Sequence, residues 1–338
     1  MIKKKGRQTA ELTDPVYILS HASIGGKKEG EGPLKADFDM IVTDDKMGQK
    51  TWELAESAFL RTALEHALKK AGLTTADIDY ILAGDLQNQC AATHYALRDI
   101  PIPYFGLYGA CSTMCESLAL GSALIASDLA KRVLCATSSH YCSAEKQYRS
   151  PLEYGGQRAP AAQWTVTGSG AVILSAERSK CRITHITTGK IIDKGITDSA
   201  NMGAAMAPAA MDTILAHFND TGRSPDDYDL IITGDLGQVG TDILCDLMLR
   251  EKTDIHSKHR DCGLLIYDRL RQDVHSGGSG CGCIASVFSG HLIKEMENGK
   301  YNRILLTATG ALMNPLTVSE GESIPVIAHA VALERSEV

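Results

Sequence analysis

The chain has 338 residues, of which 44% are hydrophobic, and a formal net charge of −7 at pH 7. This length accommodates one large domain or two of ordinary size. The acidic balance, without a basic stripe rich in aromatics, excludes nucleic acid as a general partner. No run of about 18 apolar residues predicts a membrane span, and the lysine-rich start lacks the apolar stretch of a signal peptide. We therefore expect a soluble chain.

The ten cysteines include no C-x-x-C pair, and Cys281-Gly282-Cys283 is too closely spaced for a standard zinc site. Without a secretory signal, reduced thiols are expected rather than a disulfide framework. We predict no metal site and no cofactor.

Apolar periodicity divides the first half into alternating strands and helices. The sequence predicts strands over 15–20, 78–83, 102–108, 132–137 and 168–175, and a helix over 52–71 that ends at Gly72. A second, buried helix begins at Cys111. The polar stretch 140–163, with its prolines and glycines, is predicted to be a long loop of the kind that often carries function.

The second half repeats the first in the same order. Residues 77–86 are echoed by 227–236 at an offset of 150 residues. Three further echoes pair 132–137 with 303–308, 171–179 with 329–336, and the Cys111 helix with a glycine-led helix over 278–293. Repeats in one order indicate duplicated structural units. The sequence therefore predicts an α/β fold in which two βα halves, 1–180 and 181–338, pack as a pseudo-dimer.

Cys111 lies at a strand-to-helix junction, in the first turn of its helix. Free N–H groups and the positive end of the helix dipole there would lower the pKa of a thiol and could hold an oxyanion. This position suits a nucleophile or an anionic ligand. A free cysteine is also often a small buried hydrophobe, and this stretch alone leaves both alternatives open.

The duplicated unit with a cysteine at the start of its buried helix resembles the thiolase and ketoacyl synthase superfamily, as does the run Gly168-Ser-Gly-Ala-Val-Ile-Leu174. The resemblance covers nearly the whole chain and implies a layered α-β-α-β-α fold with Cys111 at the nucleophile position. Asp235 stands where synthases carry a histidine, and Cys281 where they carry an asparagine. A carboxylate repels the enolate charge and a thiol is a poor donor, so the catalytic role of Cys111 is expected to be vestigial.

Three runs, 108–117, 138–151 and 274–283, resemble a sporulation branch of this fold found in spore-forming bacteria. That resemblance implies a protein without enzymatic activity that binds dipicolinic acid, pyridine-2,6-dicarboxylate. It would act with the other subunits of a stage V membrane channel complex in loading dipicolinate into the developing spore and releasing it in germination. Peripheral association with the spore inner membrane is expected. Whether calcium accompanies the ligand is left open.

Dipicolinate is a flat aromatic dianion, so its pocket needs cationic or N–H donors beside an apolar wall. His140 is the strongest single candidate, because it directly follows a strand end. Each basic residue could instead be an ordinary surface charge, and Asp235 could instead cap a helix. The expected ligand-binding residues are Cys111, His140, Lys146, Arg149, Asp235, His275 and Cys281, with Arg158, Tyr141, Tyr148 and Tyr154 as further candidates in the 140–163 stretch.

Two other functions are weighed against this one. The chain could be an acyltransferase or condensing enzyme that uses a Cys111 thioester, with His140 or His275 as the base. It could also be a structural subunit with a vestigial pocket. The strand over 102–108 could pair two copies into a homodimer, or its aromatics could face the core of a monomer.

Overall fold

The structure is a computed structural model that describes residues 1–148 and 158–337. Its strands are β1 (Ile2–Lys4), β2 (Thr9–Gly25), β3 (Met40–Ile41), β4 (Tyr80–Gly84), β5 (Tyr104–Gly106), β6 (Arg132–Ser139), β7 (Trp164–Thr165), β8 (Gly168–Ser175), β9 (Cys181–Thr187), β10 (Leu230–Thr233), β11 (His259–Asp261), β12 (Gly278–Ser279), β13 (Arg303–Ala311) and β14 (Val326–Arg335). Its α-helices are α1 (Trp52–Ala71), α2 (Ala91–Leu97), α3 (Thr113–Ala126), α4 (Tyr141–Tyr148), α5 (Met202–Thr221), α6 (Gly237–Arg250), α7 (Cys262–Leu265), α8 (Cys281–Val287), α9 (Ile293–Glu297) and α10 (Pro315–Ser319).

The main sheet is symmetric about its centre. Its strand order is β11-β10-β13-β14-β9-β2-β8-β6-β4-β5, with β1 and β3 paired to β2. From the central antiparallel pair β9 and β2, each side continues with two antiparallel pairings and then two parallel ones. The strands that the sequence echoes relate therefore occupy equivalent places on the two sides.

Local contacts repeat along with the strands. Asp79 accepts hydrogen bonds from two consecutive backbone N–H groups at the start of β6, at 2.6 and 2.9 Å. Asp229 does the same at the start of β13, also at 2.6 and 2.9 Å. Helices α1 and α5 both end at a left-handed glycine, Gly72 and Gly222. The division of the chain at residue 180 stays a prediction.

The helices complete five layers. Helix α1 packs on β2, β6 and β8, and α5 packs on β13 and β14. Helix α3 contacts strands of both halves, β4 and β6 on one side and β13 and β14 on the other. Its Met114, Cys115 and Leu118 side chains are fully buried there, and Gly121 lets the helix approach the sheet closely. The two halves of the sheet thus form the two β layers, with α3 between them and α1 and α5 outside them. This is the order α-β-α-β-α, and the predicted thiolase-like fold is confirmed.

Two predicted elements differ from the structure. The stretch 140–163, predicted to be a loop, contains the helix α4, which buries only the small side chains Ser143 and Ala144 and therefore shows no apolar periodicity. The strand predicted over 102–108 is reduced to the three residues of β5 at the edge of the sheet. Among the described residues, every helix is too short or too polar to cross a lipid bilayer.

Candidate functional site

A cavity of about 310 Å³ lies where parallel strands of both halves end. Its wall includes Leu86 after β4, Ala144 after β6, and Ala311 at the end of β13. Ligand sites in α/β proteins form at the carboxyl ends of parallel strands. The chemically active part of the described wall is made by Cys111, Glu145, Tyr148, Arg158, Gln163 and Ser279.

Cys111 enters the cavity from a tight turn. A 3-10 turn over Ala110–Ser112 precedes α3, and Ala110 adopts a positive φ of 49°. The turn is held from behind by Gly310, where a Cβ atom would lie 2.0 Å from the carbonyl oxygen of Gly109. Strain of this kind persists only where the surroundings impose it. The turn fixes the Cys111 side chain, which is 6% exposed, against the cavity.

Asp235 lies beside Cys111 and is fully buried. Its carboxyl accepts hydrogen bonds from the Ser279 hydroxyl at 3.1 Å, the Gly280 N–H at 3.0 Å and the Thr309 hydroxyl at 3.2 Å. Burial raises the pKa of Asp235, although the hydrogen bond from Cys111 and those from its other donors oppose this. Asp235 does not cap the following helix: Asp261 accepts the N–H groups that open α6 instead.

The pKa of Cys111 is raised well above its ordinary value, first by burial and second by the negative charge of Asp235. The expectation that the helix terminus lowers this pKa is therefore wrong. Removing the thiolate from water and placing it beside a carboxylate outweigh the dipole of one helix turn. Cys111 is thus held as a neutral thiol, which is a weak nucleophile.

Cys281 belongs to the same small cluster as Cys111, together with Leu86 and Ala110. Its thiol is fully buried and donates to the carbonyl oxygen of Ser138 at 2.9 Å. Burial raises the pKa of this thiol well above its ordinary value. The structure thus brings Cys111, Asp235 and Cys281 together, as the superfamily resemblance implies, but the Cys281 thiol is already engaged with the backbone.

Of the other predicted binding residues, Tyr148 and Arg158 line the cavity, whereas His140, Lys146 and His275 lie outside its described wall. His140 is buried, with Nε2 2.8 Å from the Asp45 carbonyl oxygen and Nδ1 accepting the Cys142 N–H at 3.1 Å. Burial lowers its pKa. Lys146 pairs with Glu53 at the surface.

His275 lies beside a shallower pocket next to Arg158, with Nδ1 2.8 Å from the Ala159 carbonyl oxygen and Nε2 3.0 Å from Asp273. Arg149 and Tyr154 fall outside the described residues. The ligand-binding role of every predicted residue stays a prediction.

Arg158 is the one cation on the wall formed by the described residues. Its guanidinium pairs with Glu145 at 2.9 Å and donates to the Tyr141 hydroxyl at 3.2 Å. It also lies 5.1 Å from the ring of Trp164, which stacks on Tyr141 with ring centroids 3.8 Å apart. The site therefore combines a fixed positive charge with aromatic and apolar surface.

Two buried polar residues of the site carry no signal in the sequence. Glu56 lies within α1, where hydropathy suggests a surface position, yet it is fully buried. It accepts hydrogen bonds from Gln87 at 2.8 Å and from Ser143 of α4 at 2.5 Å. Gln163 lines the cavity and is 5% exposed. No group of three or more potential metal ligands occurs in the described part of the chain.

The arrangement is poorly suited to condensation chemistry. Such a reaction needs an activated nucleophile and donors aimed at a developing oxyanion. Here the thiol of Cys111 is held neutral, and Asp235 and Cys281 place a carboxyl and an engaged thiol beside it. What remains is a partly open cavity whose one described cation, Arg158, is paired with Glu145, a form suited to holding a small ligand.

Comparisons with known proteins agree with this geometry. The model of the Stage V sporulation protein AD family matches residues 6–334. The Stage V sporulation protein AD of Bacillus subtilis is 47% identical over 335 residues, which cover 99% of each chain.

Among solved structures, the human mitochondrial 3-ketoacyl-CoA thiolase aligns with a TM-score of 0.61 at 14% identity, over 96% of this chain and 99% of its own. The 3-oxoacyl-[acyl-carrier-protein] synthase III of Aquifex aeolicus aligns with a TM-score of 0.57 at 15% identity, over 95% and 100%. These two likenesses concern the fold alone. The match along nearly the whole sequence assigns the chain to the Stage V sporulation protein AD family.

Proposed function

We propose that this protein binds dipicolinate in the cavity beside Cys111 and catalyses no reaction on it. The observation that carries the proposal is that Arg158 lies beside aromatic and apolar side chains on the cavity wall. In the same site, Asp235 and Cys281 occupy the positions that are catalytic in the synthases. The cavity of about 310 Å³ reaches the size of small-ligand pockets, which begin at about 300 Å³. Arg158 would bind one carboxyl group of the ligand, and Tyr148 and Met313 would contact the ring.

Calorimetric titration with dipicolinate tests the proposal, with pyridine-3,5-dicarboxylate as the control ligand. We expect saturable binding of dipicolinate and much weaker binding of the isomer, whose carboxylates diverge. A charge-assisted hydrogen bond contributes about 1.5–3 kcal/mol, so Arg158→Gln should weaken binding by about tenfold to a hundredfold. Arg269→Gln, at an exposed arginine away from the described cavity wall, is the matched control.

The same titration separates the remaining binding candidates. His140→Ala and Lys146→Ala test two of the predicted residues that lie outside the described cavity wall. Binding that survives Cys111→Ala would show that the thiol forms no essential covalent bond. If dipicolinate does not bind and acyl-CoA acylates Cys111, the acyltransferase function replaces this one.

We further propose that the protein associates peripherally with the spore inner membrane through other subunits of a stage V channel complex, and that it acts there in dipicolinate uptake and release. Membership of the sporulation family supports this role. A tagged chain should sediment with spore inner membranes, and removal of the other subunits should release it. Retention without those subunits would contradict the partner assignment.

We propose that two copies of the chain form a homodimer through the edge of the sheet at β5. Strand β5 is the last strand on its side of the sheet, and Phe105 and Tyr108 are 49% and 43% exposed. Two copies could pair β5 with β5 and cover these rings. Light scattering should show a dimer that Phe105→Glu dissociates, whereas Leu129→Glu, at another exposed apolar residue, should leave it intact.

A further inference from the structure

The orientation of the Gln163 side chain is fixed by its surroundings. Its Nε2 donates to two backbone carbonyl oxygens, that of Asp235 at 2.5 Å and that of Gly278 at 3.2 Å. The flipped amide would turn its oxygen toward both carbonyls, where it could accept nothing. The amide nitrogen is therefore committed to the wall behind the cavity.

The other end of the amide has an unmet hydrogen bond. Gln163 Oε1 is buried without a hydrogen-bond partner. A buried acceptor without a partner costs about 1–3 kcal/mol, so its retention needs a reason. Gln163 lines the cavity, and a ligand held there can supply the missing donor.

Arg158, which contacts the backbone of Gln163, carries an unmet group of the complementary kind. The guanidinium donates through Nη2 to the backbone carbonyl of Gln163, so the two residues are in direct contact. Arg158 Nε is likewise buried without a partner. An unmet donor and an unmet acceptor thus belong to two neighbouring residues on one wall. Both atoms are shielded from solvent, so a ligand reaches them only when the wall around them opens locally.

We propose that Gln163 makes this cavity selective for a ligand group that offers a hydrogen-bond donor beside an acceptor, so that dipicolinate binds in its singly protonated form. A protonated carboxyl meets both needs: its carbonyl oxygen accepts from Arg158 Nε and its O–H donates to Gln163 Oε1. A primary carboxamide has the same pattern. An ionised carboxylate offers acceptors only and leaves Gln163 unmatched. This inference rests on the proposed function and adds the protonation state of the ligand.

The titratable groups around this position constrain the test. Glu145 and Tyr148 face the cavity from α4, Cys111 from its turn, and Arg158 from beside Gln163. Asp235 lies behind Cys111, and His275 contacts the backbone next to Arg158. Titration of any of these groups could also change affinity with pH. The experiment therefore needs a ligand that keeps its donor at every pH.

The experiment compares dipicolinate with its monoamide, 6-carbamoylpyridine-2-carboxylate, by calorimetry from pH 6 to pH 8. We expect the apparent affinity for dipicolinate to fall about tenfold per pH unit, because the protonated form becomes scarcer by that factor. The monoamide, whose N–H donor does not titrate, should bind with nearly constant affinity and more tightly than dipicolinate at pH 8. The monomethyl ester, which lacks the donor, should bind weakest.

Gln163→Leu should abolish both the pH dependence and the preference for the monoamide. Gln238→Leu, at a partly exposed glutamine of α6 away from the described cavity wall, is the matched control and should keep both. Dipicolinate affinity that is flat with pH, or a monoamide slope equal to that of dipicolinate, overturns the inference while leaving the proposed function intact. Failure of both ligands to bind the wild type at every pH overturns the proposed function and this inference with it.

Discussion

Glu56 links three segments that lie behind the cavity wall through its hydrogen bonds, so its replacement by glutamine is an informative perturbation. The residue lies on α1, accepts from Gln87 in the segment after β4, and accepts from Ser138 and Ser143 on either side of the β6–α4 junction. Glutamine has the shape of a protonated glutamate and stays neutral at every pH. The variant Glu56→Gln therefore keeps the packing and removes the ionisation.

The magnitude follows from the pKa of this carboxyl. Burial, and secondarily the charge of Asp85, raises the pKa of Glu56 from 4.5 to about 8. The folded protein then holds this proton more tightly than the unfolded chain, so the associated stability is fully present below pH 4.5 and is lost as the pH rises toward 8. The difference between the two pKa values corresponds to about 5 kcal/mol at 1.36 kcal/mol per pH unit. Because part of the shift comes from Asp85, we expect Glu56→Gln to recover about 2–5 kcal/mol of the free energy of unfolding over the whole interval from pH 4.5 to pH 8.

Urea unfolding at pH 5.5 and pH 8.5 measures this difference. Wild type should lose stability between the two pH values, whereas Glu56→Gln should lose about 2–3 kcal/mol less, because about 2.5 pH units of this interval lie below the raised pKa. Glu65→Gln, at an exposed position of the same helix, should follow the wild type. Buried carboxyls with raised pKa values that do not act on Glu56, such as Glu29, Asp235 and Asp261, contribute equally to all three proteins. Parallel losses in wild type and Glu56→Gln would refute the reasoning.

Two further predictions concern the Cys111 turn. Iodoacetamide should label Cys111 more slowly at pH 9 than the half-buried Cys142, as measured by mass spectrometry. Asp235→Asn should accelerate labelling of Cys111 by about tenfold, because one cause of the raised pKa of this thiol is removed. An unchanged labelling rate would contradict the role of Asp235. Gly310→Ala should lower the free energy of unfolding by about 3 kcal/mol or more, because the new Cβ meets the Gly109 carbonyl oxygen. Gly72→Ala, where the Cβ has open space, should cost only about 1 kcal/mol for its left-handed backbone, and equal costs for the two variants would contradict the packing argument.

The fold was predictable from the sequence because its signal is periodic and duplicated. The helix over 52–71 has the predicted bounds because its apolar residues recur at helical spacing, and the strand over 168–175 has them because it contains a continuous apolar run that is buried on both faces. Helix α4 could not be predicted in this way. It docks through the Ser143 hydroxyl on Glu56, and hydropathy does not register a polar contact between two buried side chains.

The site was predictable only in outline. The superfamily resemblance related Cys111, Asp235 and Cys281, which the structure does bring together, but the pKa of Cys111 was mispredicted because burial cannot be read from a helix start. Gln163 carries no local motif. Its role depends on two carbonyls from segments far along the chain, and such a contact exists only once the chain has folded.

The structure of the protein with dipicolinate bound tests the central claim most directly. We expect ligand density in the cavity between Cys111 and Arg158, with no bond to the Cys111 sulfur and with a ligand carboxyl against the Arg158 guanidinium. Dipicolinate bound at a site away from this cavity, or an acyl group on Cys111 in its place, would contradict a binding protein built on a disabled thiolase-like site.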